Sequence, residues 1–112
     1  MEIRERHANG ITTFELEGRF TANDRPGLLK EAVAGAVSRG ARRVLLDLSG
    51  VKYIDSTRLG ELIAAHVSVA RQGGTLRLVR TPPRIVELLE MVGLAGVFEG
   101  DDTAGAAARK PQ

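Results

Sequence analysis

Between Ile11 and Gly18, Phe14 and Leu16 alternate with Glu15 and Glu17, the two-residue period of a strand with one face in water. The stretch ahead of it, Ile3–His7, is short and mixed, and Asn9-Gly10 between the two has the composition of a tight hairpin turn. Gly18-Arg19-Phe20-Thr21 then leads into a loop. Beyond it the period changes: Leu29, Ala32, Val33, Ala36 and Val37 fall at i, i+3, i+4, i+7 and i+8, one apolar helix face ending at Gly40. Asn23 or Asp24 is the expected cap of this helix, with Pro26 in its first turn. Val44-Leu45-Leu46-Asp47-Leu48 is a nearly continuous apolar run, the pattern of a central strand covered on both faces. Ser49-Gly50 is expected to turn the chain, and Val51–Ile54 carries it toward Asp55-Ser56-Thr57. A second helix sets Leu59, Leu62, Ile63, His66 and Ala70 on one stripe and stops at Gly73-Gly74. Thr75–Arg80 alternates again, and Pro82-Pro83 opens a third helix carrying Ile85, Leu88, Leu89 and Val92 before Gly93. Val97-Phe98 reads as a short last strand.

The order β-β-α-β-α-β-α, with that optional final β, predicts an α/β fold: a mostly parallel central sheet with helices covering it. At 112 residues and 43% hydrophobic content, one domain is expected, able to bury about 65% of its unfolded surface without staples. Its expected span is residues 3–99. Gly100–Gln112, made of Gly, Ala and charge, has almost nothing to bury and is expected to be disordered.

Composition then removes function classes. The lack of Cys excludes a disulfide framework, a thiolate metal site and a cysteine nucleophile. Sixteen Lys and Arg against fourteen Asp and Glu leave a net charge of +2, too little to build a strong phosphate-binding field. With one Tyr, three Phe and no Trp there is also little to stack on bases, so direct nucleic-acid binding is not expected. No apolar run approaches the roughly eighteen residues of a membrane span, and Met1–Arg6 holds no apolar signal core. A cytoplasmic protein without membrane insertion is the expectation. His7 and His66 have no metal-ligand spacing, and no Gly-x-Ser-x-Gly elbow accompanies Ser56. Gly73-Gly74 lacks a P-loop lysine. Arg42-Arg43, Arg77 and Arg80 fit solvated rims better than a binding patch. Neither enzyme activity nor a cofactor or metal is expected.

In an open α/β sheet, ligands and partners gather at the carboxyl ends of strands, beside helix N-termini. One such junction carries a dense polar cluster, Tyr53-Ile54-Asp55-Ser56-Thr57-Arg58-Leu59-Gly60. Asp, Ser and Thr are preferred N-caps because their side-chain oxygens satisfy orphan amides of the first turn. One cap needs one such residue, and here three stand in a row. The surplus hydroxyl is what capping leaves unexplained.

With these residues in view, the chain resembles the STAS domain of bacterial anti-sigma factor antagonists. The resemblance runs through Leu16-Glu17-Gly18, Leu45-Leu46-Asp47-Leu48-Ser49-Gly50-Val51, Ile54-Asp55-Ser56-Thr57 and Leu59-Gly60. It continues through Gly73-Gly74-Thr75-Leu76, Leu88-Leu89 and Val92-Gly93-Leu94, covering roughly residues 3–99. It implies a single STAS-like domain and function by partner switching. The unmodified antagonist binds an anti-sigma factor that is also a serine kinase; phosphorylation of the serine after the Asp, here Ser56, releases it, and a phosphatase restores it. ATP and Mg²⁺ belong to the kinase. The implied docking surface comprises Asp55, Ser56, Thr57 and Arg58 with the adjoining loop at Thr21 and Asp24.

The chain departs from the family pattern in two places. Gly usually follows the Ser-Ser or Ser-Thr pair, where this chain has Arg58, able to pair with a phosphate, obstruct a kinase or select another partner. An acidic residue often follows the glycine that ends the second strand, where this chain has Thr21. Two alternatives stay open. One is a STAS accessory subunit docking an ATPase in a transport or lipid-trafficking complex. The other is a small anion- or nucleotide-binding domain using the amides of Ser56–Arg58.

Overall fold

Asn9 and Gly10 both adopt the positive φ (54° and 78°) that a two-residue hairpin turn demands. They close β1 (Glu2–Ala8) onto β2 (Ile11–Phe20) as an antiparallel pair. The computed structural model describes residues 2–21 and 27–93. After β2 come α1 (Leu28–Ser38), β3 (Arg43–Ile54), α2 (Ser56–Arg71), β4 (Thr75–Val79) and α3 (Pro83–Met91). The described strands form one sheet in the order β1-β2-β3-β4, with β2, β3 and β4 parallel. Each parallel step moves to the next strand in sequence. Right-handed crossovers therefore bring α1 and α2 to the same face, where they pack on one another.

Strand register shows which side chains meet that layer. Thr12, Val44 and Leu76 form one row across the sheet, and Phe14, Leu46 and Leu78 the next; all six are buried. Leu29, Val33, Ala36 and Val37 of α1 and Leu62, Ala65 and Val69 of α2 complete the core, joined by Ile85 and Leu89 of α3. The opposite rows are polar. Arg6, Thr13, Leu45 and Arg77 line up in one, and Arg4, Glu15, Asp47 and Val79 in the other. Glu15 pairs with Arg6 at 3.0 Å and Arg4 at 3.9 Å. The apolar run of β3 thus does not mean apolar cover on both faces. Leu45 is only half-buried, and the second face is an ion-paired surface.

β3 is also longer than its sequence suggests. Ser49-Gly50 does not turn the chain; it lies within the strand at a register shift. Glu15 pairs with Asp47 but Glu17 with Gly50, so β3 carries one extra residue there. A second extra residue falls between the pairs Gly18–Val51 and Arg19–Tyr53. Each resets the alternation, so the buried positions run Leu46, Leu48, Val51, Ile54 rather than in strict twos. Gly50 suits a close approach: a Cβ there would lie 3.0 Å from the Leu16 carbonyl oxygen, so a larger residue would push β2 back by a few tenths of an ångström. β2 likewise continues through Phe20 instead of yielding to a loop at Gly18.

Asp47, at the start of the first bulge, finds partners on both sides of it: Ser49 within β3 and Arg80 just after β4. Its carboxylate is buried, accepts the Ser49 N–H at 3.0 Å, and accepts from both the Nε (3.1 Å) and the terminal nitrogen of Arg80. Burial pushes this carboxyl pKa up, but the Arg80 and Ser49 hydrogen bonds outweigh it and hold the pKa below the ordinary aspartate value. Arg80 is solvated at the rim, as expected, and from there also serves as the ion-pair partner of Asp47. A depressed carboxylate pKa stabilises the fold above the unfolded pKa of about 3.9, and that stability is lost as pH falls through the folded value. Accordingly, the thermal midpoint is expected to drop below about pH 4, and in Arg80→Met, where the burial of Asp47 is no longer offset, to start lower at pH 7 and to drop less on acidification. Circular-dichroism melts from pH 7 to pH 2 check this; superimposable profiles for the two proteins would remove the role given to the pair.

The remaining expectations about α1 change at its start. Its N-cap is Gly27, which has no side chain to offer, and not Asn23 or Asp24. Asn23, Asp24 and Pro26 lie outside the described residues, as do Val97-Phe98 and Gly100–Gln112. No helix among the described residues is long and apolar enough to cross a membrane.

Candidate functional site

The polar cluster sits where β3 hands over to α2. Asp55 is the N-cap: its backbone is extended (φ −100°, ψ 175°), and its Oδ1 accepts the Arg58 N–H at 2.9 Å. Its own N–H donates to the Phe20 carbonyl at 3.2 Å, tying the start of α2 to the end of β2. Ser56 and Thr57 are the first two residues of the helix, and both are exposed. One of the three oxygen-bearing side chains thus meets the capping need, and two hydroxyls face outward. Replacing Asp55 with Ala is expected to cost about 1 kcal/mol through the lost cap. Urea unfolding reads this; a change under about 0.3 kcal/mol would show that the cap contributes nothing.

Arg58 behaves differently from its neighbours. It is 3% exposed. Its Nε donates to the Thr21 carbonyl at 2.7 Å, a terminal nitrogen pairs with the Glu61 carboxylate, and the guanidinium lies 5.8 Å from the centre of the Phe20 ring. Of the four docking residues expected in this segment, Arg58 alone is buried, with its guanidinium engaged beneath the surface by the Thr21 carbonyl and Glu61. Its amide is bonded to Asp55, so an anion site built from the Ser56–Arg58 amides lacks that donor. Thr21 follows β2, half-buried, and meets the cluster through its backbone. Asp24 is outside the described residues.

Glu61 is the residue that sequence reasoning missed. It is buried, and its second carboxylate oxygen accepts the Lys30 N–H at 2.9 Å. Lys30 is the third residue of α1, so Glu61 takes the amide an N-cap side chain ordinarily takes and replaces the cap that Gly27 lacks. The available signal was Arg58 and Glu61 at i, i+3 beside Leu62 and Ala65, a charged pair on an apolar face. The helix stripe is shifted to match. Arg58, Leu59, Glu61, Leu62, Ala65 and Val69 are buried, whereas Ile63 and His66 are half-buried and Ala70 is exposed.

Beyond Ser56, a cleft of about 900 Å³ runs between the end of β3 and α3, lined by Tyr53, Asp55, Ser56, Leu59, Leu88 and Met91 among others. Tyr53 and Met91 on its rim are 42% and 82% exposed, large apolar groups left in water beside the serine. Among the described residues no cluster of His, Asp and Glu could hold a metal ion.

A sheet with both long helices on one face, and an Asp-capped helix presenting Ser56, match a known domain type. The family model described as "Mlab, STAS domain" matches residues 3–99. The chain belongs to the STAS domain family. Among curated relatives, the anti-sigma-B factor antagonist of Listeria monocytogenes is 30% identical over 105 residues, covering 94% of this chain and 90% of that protein. Among solved structures, the Bacillus cell fate determinant SpoIIAA in its phosphorylated form superposes with a TM-score of 0.69 at 16% identity, covering 96% of each chain. A sulfate transporter family protein from Wolinella succinogenes superposes with a TM-score of 0.67 at 18% identity, covering 86% of this chain and 77% of that one. The STAS fold is thus shared by proteins named as regulators and as transporters, and function has to be argued from the site.

Proposed function

We propose that this STAS domain is an anti-sigma factor antagonist acting by partner switching: it binds an anti-sigma factor serine kinase while Ser56 is unmodified, and lets go when Ser56 carries phosphate. One observation carries the reading. Asp55 does the capping, so the exposed Ser56 hydroxyl beside it has no capping duty. The antagonist name of the Listeria relative, matched along nearly its whole length, supports the same role.

The physics of the switch is local. A phosphoserine adds about −1.5 to −2 charge at neutral pH. At the first residue of α2 the helix dipole favours that charge by about 0.3–1 kcal/mol, and neighbouring Asp55 opposes it. The fold is left nearly unchanged. A fitted protein interface is not, because the charged group there must be desolvated or repelled. Asp55, Thr57 and the backbone at Thr21 complete the proposed docking face, and a phosphatase completes the cycle.

The test is incubation with a kinase-type anti-sigma factor encoded in the same genome, with ATP and Mg²⁺. Phosphate is expected on Ser56, and none on Ser56→Ala. Stoichiometric phosphate on another residue, or none on the wild-type chain with every such kinase, rejects the proposal. A second reading, an accessory subunit docking a transport ATPase, is favoured by the Mlab name of the matched model. It predicts stable co-purification with the ATPase that Ser56→Ala does not alter.

A further inference from the structure

We propose that Arg58 and Glu61 form a buried clamp that fixes the end of β2 and the first turn of α1 on the Ser56 helix, making them positioning residues for docking. Both are held by the one ion pair. Arg58 takes the carbonyl of Thr21, the residue that follows β2, at 2.7 Å; Glu61 takes the amide of Lys30, in the first turn of α1, at 2.9 Å. The two side chains are 4% and 7% exposed and pair with each other, so neither can change partner without leaving a buried charge uncompensated.

The clamp answers two local deficits. α1 starts at Gly27 with no side-chain cap, so the orphan amide of Lys30 needs an acceptor from elsewhere. An acceptor as far inside as Glu61 needs a counter-charge, and Arg58, one helical turn earlier, provides it. Both residues stand on α2, and Asp55 and Ser56 begin that helix. The serine, the residue after β2 and the first turn of α1 are consequently referenced to one rigid element. A buried ion pair adds little net stability compared with apolar groups of equal size, whereas its directional bonds admit one arrangement. Its value here is register between two parts of a surface.

The docking consequence rests on the partner-switching reading; the clamp itself does not. The test therefore has two arms on the full chain. Amide hydrogen exchange by NMR compares the wild type, Glu61→Gln and the double variant Arg58→Met/Glu61→Met, which removes both charges while filling the space. In the double variant the Lys30 amide is expected to exchange at least about tenfold faster relative to Val44 and Leu46 in β3, while Glu61→Gln, which keeps an acceptor oxygen but leaves the Arg58 charge unpaired, is expected to fall between it and the wild type. Affinity for the kinase-type anti-sigma factor that modifies Ser56 is expected to fall at least about tenfold in the double variant and by less in Glu61→Gln. Lys30 exchange unchanged in the double variant overturns the clamp. Faster Lys30 exchange with unaltered affinity overturns its role in docking. A wild-type chain that binds no such factor rejects the partner-switching reading instead, and the exchange arm still decides the clamp.

Discussion

Ser56→Asp is expected to weaken binding to a kinase-type anti-sigma factor by at least about a hundredfold, roughly 2.7 kcal/mol, without unfolding the domain. The magnitude follows from where the charge goes. Ser56 is exposed in the isolated chain, at the first residue of α2, so a carboxylate there is solvated and aligned with the helix dipole. Once a partner covers the site, the same carboxylate loses water beside Asp55, and an uncompensated charge at an interface costs several kcal/mol. Arg58 offers no relief, being committed beneath the surface to Glu61 and the Thr21 carbonyl. Ser56→Ala should bind at close to the wild-type level and resist modification. Titration calorimetry measures both; Ser56→Asp binding within about threefold of wild type would end the electrostatic account of release.

The largest effect on stability is expected at Phe14. Its side chain is fully buried, in the row with Leu46 and Leu78 beneath the helices. Phe14→Ala removes the largest group in that row and leaves a void in the middle of the sheet. Such truncations cost about 3–5 kcal/mol, against a total stability of about 5–15 kcal/mol for a domain of this kind. The thermal midpoint should fall by about 12 °C or more. A drop under about 5 °C would mean that the core centres elsewhere.

These two residues differ in how plainly the sequence announces them. Phe14 lies in a strict alternation, Phe14-Glu15-Leu16-Glu17, and an alternation has one physical solution, a strand with one dry face. Ser56 emerges from surplus: three capping residues where one suffices. The face of α1 was equally legible, because Leu29, Val33, Ala36 and Val37 repeat with the helical period and all are buried. β3 was legible as a strand but not in its length. Two extra residues break the period of two, and Ser49-Gly50 looks like a turn until β2 is placed alongside and absorbs the irregularity as bulges. Its one-sided cover was hidden too, since a run such as Val44–Leu48 has the same composition whether helices lie above it, below it or on both sides.

Periodicity and punctuation alone established the order of elements, the parallel sheet and the serine-bearing junction, because these depend on spacing along the chain. The inward turn of Arg58, the cap that Glu61 lends to α1 and the pairing of Asp47 with Arg80 were decided only by tertiary structure. Each joins charged or polar groups across 3 to 37 residues of chain. A charged side chain has the same identity in water or beneath a helix, and only the assembled neighbours determine whether it finds a partner there.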